Sequence, residues 1–204
     1  MAAGDTSIRI CSDALLILGA KPISSFSEGT DAANICDRLY PNIRDATIQQ
    51  YPWAFSFKKV SLSQIITAPV NEWRYAYQLP ADRIGPPRAA FTSTSVGERP
   101  FTEWEIYEDK LLTNSPTIVI DYQFSVPENK MPVYFVQLLK YMMAWHLAEP
   151  LTDQVSKAQY WQVVAVGTPG DNGRGGYFRT AANIDGQGTP PQSIEDYSLI
   201  AVRY

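Results

Sequence analysis

Residues 133–148 offer almost no polar face to water. Phe135, Val136, Leu138, Leu139, Met142, Met143, Trp145 and Leu147 cover most of a helix's circumference, leaving a narrow polar strip near Gln137 and Lys140. A helix that is apolar all round needs other surfaces on every side. It is therefore either the centre of a helical bundle or a wall between subunits. Pro132 suits its first turn and Pro150 is expected to end it. Thr152 is placed to cap a last helix to about Val166, with Val155, Ala158 and Trp161 facing inward.

Two more helical segments lie at the start of the chain. Ile8, Cys11, Leu15 and Leu18 recur at helical spacing over residues 6–18, after a cap at Asp5 or Thr6 and before a stop at Gly19 and Pro22. A second helix is expected from about Asp31 to Tyr51, capped by Thr30 and lined by Ala32, Cys36, Leu39, Ile43 and Ala46. Pro41 falls in its middle, where the missing N–H predicts a kink near Tyr40 or two short helices.

Between these helical parts the period changes to alternation. Trp53, Phe55 and Phe57 alternate, as do Trp73, Tyr75, Tyr77 and Leu79, and then Ile118, Ile120, Tyr122 and Phe124. Prolines 69, 80, 86, 87, 100 and 116 punctuate the region at intervals suited to short strands. Trp104–Tyr107 and Lys110–Thr113 flank Glu108 and Asp109 as a tight hairpin. After Gly167 no helical period remains. The chain becomes rich in Gly, Pro, Asn and Ser, and finishes in an apolar, β-capable run from Tyr197 to Val202. The sequence thus predicts an α+β fold. An antiparallel helical bundle is drawn from residues 1–52 and 127–166, a small antiparallel β module is inserted at 53–126, and an extended C-terminal arm covers 167–204.

Composition narrows the function. The formal net charge is −4, and no basic stripe of the kind that grips a phosphate backbone is visible, which disfavours sequence-specific DNA reading. Affinity that falls steeply with salt would mark the DNA-binding alternative. Cys11 and Cys36 are the only cysteines, and without a histidine nearby they make neither a zinc site nor a disulfide framework. The N-terminus lacks a secretory pattern and no segment is long enough to span a bilayer, so a soluble protein of a reducing compartment is expected.

Chemistry is sparsely advertised. His146, the single histidine, lies on the apolar helix and reads as a packed or interface imidazole. Glu103, Glu105, Glu108 and Asp109 gather around the hairpin. Two acids facing each other across a cleft there could hydrolyse a glycosidic bond, which makes a cell-wall or polysaccharide hydrolase the enzymatic alternative. A solvated hairpin edge is the simpler reading of the same acids. The Gly170–Gly176 run lacks the lysine and hydroxyl ending of a phosphate loop and follows a helix, so it reads as a flexible linker.

The order of features also resembles a known family. Ile10-Cys11-Ser12-Asp13-Ala14-Leu15-Leu16-Ile17-Leu18-Gly19-Ala20 with Pro22-Ile23 is similar to the first helix of podoviral tail tubular protein A and related head-to-tail adaptors. So are Asp31-Ala32-Ala33, Leu39-Tyr40-Pro41, Ile43-Arg44-Asp45, Tyr51-Pro52-Trp53-Ala54-Phe55, Tyr77-Gln78-Leu79-Pro80-Ala81-Asp82 and Met131-Pro132, all in the same order over residues 6–165. The resemblance implies a structural, non-enzymatic virion subunit without cofactor or metal. It further implies a twelve-fold ring that joins the portal protein to the tail nozzle protein while genomic DNA passes through its centre, with no membrane involved. On that expectation Tyr177, Phe178, Tyr197, Leu199, Ile200, Val202 and Tyr204 of the arm are the candidate docking residues for the portal or a neighbouring subunit.

Overall fold

A computed structural model describes residues 5–67, 69–95, 97 and 99–188. Among them are five α-helices and two small antiparallel three-stranded sheets, an α+β fold. Helix α1 (Ser7–Ile17) begins where the Thr6 hydroxyl accepts the Arg9 N–H at 3.2 Å. It ends as expected at Gly19, whose φ of +80° lets Ala20 N–H reach Leu15 C=O at 2.9 Å and Gly19 N–H reach Leu16 C=O at 3.0 Å. Helix α2 (Asp31–Gln49) is capped by Thr30, which accepts the Ala33 N–H at 3.3 Å.

Pro41 neither divides nor ends α2, which is a single helix through Gln49. A proline forfeits one amide bond; here the segments on both sides are pinned, Cys36 and Tyr40 before it and Ile43, Thr47 and Ile48 after it all being buried. Ala46, expected on the buried face, is exposed, and Thr47 takes that place by donating its hydroxyl to Ile43 C=O at 2.6 Å.

The β module follows. Strands β1 (Phe57–Ser61), β2 (Tyr75–Gln78), β3 (Ala89–Phe91), β4 (Trp104–Tyr107), β5 (Lys110–Thr113) and β6 (Val119–Gln123) pair as β1-β6-β3 and β2-β5-β4. Ile120 is central to the first sheet, opposite Val60 on one side and Ala90 on the other. The predicted hairpin is present: Tyr107 faces Lys110, and Glu108 and Asp109 turn the chain at φ of 47° and 65°. Left-handed conformation at both central residues is what a two-residue hairpin of matching twist requires.

Trp53 and Phe55 do not continue a strand. Trp53 leads into a single 3-10 turn (Ala54–Ser56), and strand pairing starts at Phe57. The cause is burial: Trp53 is wholly enclosed, its indole N–H donates to Thr47 C=O at 3.0 Å, and its ring lies 5.1 Å from Phe135 and 5.4 Å from Phe178. These rings bind the module to the helices. The Gln123 amide reinforces the joint by reaching Tyr51 C=O at 2.7 Å and Ile48 C=O at 3.1 Å.

Helix α3 (Val133–Thr152) resolves the choice posed by its apolar girth. Helices α1 and α2 pack against it, as do α4 (Val155–Val166) and α5 (Gly176–Gly186), and nine of its residues are buried. It is the centre of the helical part. The polar strip is used too, since Lys140 Nζ pairs with Asp13 of α1 at 2.8 Å. Pro150 sits inside the last turn and the helix ends only at Asp153, in the left-handed region at φ 51°. The Thr152 hydroxyl turns back to Ala148 C=O at 2.6 Å, so α4 starts from Gln154 without a side-chain cap. No helix among the described residues is long and apolar enough to cross a membrane.

The extended arm expected from residue 167 is folded over its first part. Gly175 N–H bonds Val166 C=O at 2.8 Å, and the chain reverses into α5. The glycines are required by close approach: a Cβ on Gly176, at φ +50°, would lie 2.6 Å from Val164 C=O. Asp171 holds the turn by accepting the Thr168 N–H at 2.9 Å, the Thr168 hydroxyl at 2.8 Å and Arg179 at 2.8 Å. Helix α5 then buries Phe178, Ala181 and Asp185 against the body. The Asp185 carboxylate accepts the Ala54 N–H at 2.9 Å and the Tyr134 hydroxyl. Burial, and then that carboxylate, raise the Tyr134 pKa above its usual value. A stretch that shows no apolar period is thus helical because two residues, Phe178 and Asp185, find specific partners.

Candidate assembly surface

Helix α4 meets the rest of the protomer through small residues. Ala158, Ala165 and Val166 are its buried positions, and alanines seven apart let it lie close against α3. The larger apolar residues are thereby turned outward. Val155 is 54% exposed, Tyr160 62% and Val163 47%. Val155, expected to face inward, is one of them. Val155 and Val163 are eight residues apart with the exposed Gln159 between them, so the solvent side of α4 mixes apolar residues with polar ones and carries no charged residue between the two valines on that face.

Aromatic rings from three helices extend this surface. Tyr141 of α3 and Trp161 of α4 stack with centroids 5.8 Å apart and planes 21° apart. Tyr177 of α5 meets Tyr141 edge-on at 5.2 Å, and Tyr160 meets Trp161 edge-on at 5.1 Å. Tyr141, Trp161 and Tyr177 are half-buried and Tyr160 is exposed, so the cluster lies on the surface of the helical part. Burial, and then the Tyr141 phenol, raise the Tyr177 pKa. Rings with few rotatable bonds and a polar tip are the side chains that dominate protein interfaces.

Of the candidate docking residues, Tyr177 belongs to this cluster. Phe178 does not: it is 1% exposed, between Trp53 and Tyr51, and it anchors α5. Tyr197, Leu199, Ile200, Val202 and Tyr204 lie outside the described residues. Tyr141, Tyr160, Trp161 and Val163 were not singled out from the sequence. The available signal was Tyr160 next to Trp161, since adjacent helical positions are about 100° apart and cannot both face one core.

Three of the four hairpin acids are engaged locally. Asp109 pairs with Arg83, Glu108 lies 3.7 Å from Lys110 Nζ, and Glu105 accepts the Trp73 indole N–H at 3.2 Å. Glu105 and Glu108 line an open cavity, and Glu103 and Asp109 are not part of that lining. His146 is exposed on α3 with its ring 4.3 Å from Trp145. Cys11 and Cys36 are free and fully buried, and the contact with Cys36, together with burial, pushes the Cys11 thiol far above its usual pKa. That makes Cys11 an unreactive core residue. Among the described residues no group of three or more His, Cys, Asp or Glu is placed to hold a metal ion.

No known protein-family model and no curated protein matches the chain.

Proposed function

We propose that this chain is a structural subunit of a phage head-to-tail adaptor ring, linking the portal to the tail nozzle and forming part of the DNA channel. The observation that carries the reading is the set of exposed large apolar residues on α4, Val155, Tyr160 and Val163, beside the aromatic cluster. A protomer whose core is complete has no internal use for an exposed Tyr160, Val155 and Val163 beside three half-buried rings. Such a surface suits contact with another protein. In a closed ring each subunit presents two different faces to its neighbours, and the interface needs no two-fold symmetry. The resemblance in the order of motifs from Ile10 to Pro132 supports the adaptor reading. The helical part (1–52 and 127–166) is read as the bundle of that family, with 53–126 as its β module.

The acids do not favour the hydrolase alternative, because Glu105, Glu108 and Asp109 each have a donor or cation of their own. A pair working as acid and base or nucleophile must instead face a substrate across a cleft.

Electron microscopy of the purified chain, alone and with its portal protein, tests the proposal. Rings stacked coaxially on the portal are expected. Dispersed monomers in both samples refute it.

A further inference from the structure

Strand β4 is an outer strand of the β2-β5-β4 sheet, and among the described residues no strand or bridge lies along its outer side. The tight turn at Glu108 and Asp109 makes Tyr107 and Lys110 a hydrogen-bonded pair. Bonding alternates along an antiparallel ladder, so the N–H and C=O of Ile106 point away from β5 to that open side. The opposite edge of the sheet is covered: Ile65 N–H bonds Ala76 C=O at 2.8 Å and Gln78 N–H bonds Ser63 C=O at 3.3 Å. The β4 edge is thus open to an extended chain. The adjoining sheet face sets what that chain should carry. Glu105 and Tyr107 of β4 line a cavity of about 630 Å³ whose apolar floor is Ala76 and Leu112, each 3% exposed. Three carboxylates, Glu72, Glu105 and Glu108, border it against one cation, Lys110. Lys110 pairs with Glu108 at 3.7 Å, whereas Glu105 accepts a neutral indole N–H and Glu72 has no ion pair among the described residues.

We infer that the open edge of β4 takes an extended segment of a different protein, running antiparallel, with a Lys or Arg opposite Glu105 and an apolar residue opposite Tyr107. Side chains alternate along a strand, so both positions fall on the cavity face. The cation then stands beside the two carboxylates that lack a counter-charge, and the apolar residue meets the exposed Tyr107 ring. Cross-strand pairs of both kinds are stabilising, and like charges set opposite one another are not. Charge therefore argues against this chain as its own partner. A second copy pairing edge to edge would bring its Glu103, Glu105 and Glu108 against the same acids, and residues 189–204 carry Glu195 and Asp196 against the single Arg203.

The probe is a blocked, fluorescently labelled heptapeptide, Thr-Thr-Val-Thr-Lys-Thr-Thr, added to the full chain. Anisotropy reads its affinity, and hydrogen exchange followed by mass spectrometry reads where it sits. Saturable binding with slowed exchange over residues 104–107 is expected. The same peptide with Glu in place of Lys should bind about 10-fold more weakly. Glu105→Gln, which keeps an acceptor for the Trp73 indole, should weaken the Lys peptide about 3–10-fold, and Glu105→Lys should reverse the preference in favour of the Glu peptide. Equal binding of the two peptides overturns the inference, as does no binding at millimolar peptide. So does protection confined to α4, or exchange over residues 104–107 that is unchanged at saturation.

Discussion

Replacing Tyr160 by serine separates the proposed assembly surface from the core. Tyrosine buries about 150–250 Å² when fully enclosed, and 62% of Tyr160 is exposed. A neighbour covering that part would remove about 90–155 Å² from water, or about 2–4 kcal/mol at the usual transfer coefficient. Ordering the side chain takes back part of this. A net loss of about 1–3 kcal/mol per contact means a dissociation constant about 5–150-fold weaker. Within the protomer the edge contact with Trp161 is lost, so folding stability should fall by about 1 kcal/mol. Sedimentation velocity over a concentration series reads the first quantity and urea unfolding the second. Weakened association with an almost unmoved urea midpoint is expected. Association curves that superimpose on the wild type, or a loss of assembly that merely follows a loss of stability, refute the reasoning.

Three further substitutions probe the fold around this surface. Asp185→Ala leaves the Ala54 N–H and the Tyr134 hydroxyl without their shared acceptor. It should lower unfolding free energy by about 2–4 kcal/mol and open residues 176–186 to early proteolysis; unchanged cleavage would show that α5 is held otherwise. Gly176→Ala combines a φ of +50° with a Cβ 2.6 Å from Val164 C=O, and about 1–3 kcal/mol of destabilisation is expected in urea. Glu28 accepts hydrogen bonds from Ser24 N–H, its hydroxyl and the Thr30 hydroxyl, and these hold its pKa at about 2 against an ordinary 4.5. A depressed folded pKa stabilises above the unfolded value and the benefit is lost as the proton binds. Amide protection over residues 24–30 should therefore fall between about pH 4.5 and 2, and Glu28→Gln should remove that dependence. A profile that is flat in the wild type contradicts it.

The fold was legible wherever local chemistry and burial agreed. The caps at Thr6 and Thr30, the stop at Gly19, the hairpin at Glu108–Asp109 and the helical, largely apolar character of α3 follow from signals within a few residues. Reading failed where tertiary partners overrode local rules. Trp53 alternates with Phe55 and Phe57 like a strand residue, yet it is drawn into the helical core by Phe135 and Phe178. Residues 167–186 look like a linker because glycine breaks any apolar period, although glycine is what lets α5 fold back onto α4. The outward turn of Val155 and Tyr160 was hidden for a related reason. Apolar spacing alone does not tell a core face from an interface face, and here Ala158 and Ala165 pack inward in place of larger residues.

Covering α3 within the protomer also changes what assembly has to accomplish. Had that helix been a wall between subunits, a free chain would expose much of Phe135, Leu139 and Met142, and folding would depend on the ring. Instead these residues are 0–3% exposed, with α1, α2, α4 and α5 around them. The subunits should then associate as folded bodies through α4 and its aromatic neighbours. Association adds to the stability of any folded protomer by mass action, and the dependence on concentration persists below the ring-forming range only where unfolding and dissociation are one step. The urea midpoint should accordingly fall while dilution takes rings to monomers and then stay constant over a further 100-fold dilution of the monomer, a range of about 2.7 kcal/mol in association free energy. A midpoint that goes on falling below the ring-forming range would mean that the protomer depends on its neighbours to fold, and that the burial of α3 by its own chain does not suffice.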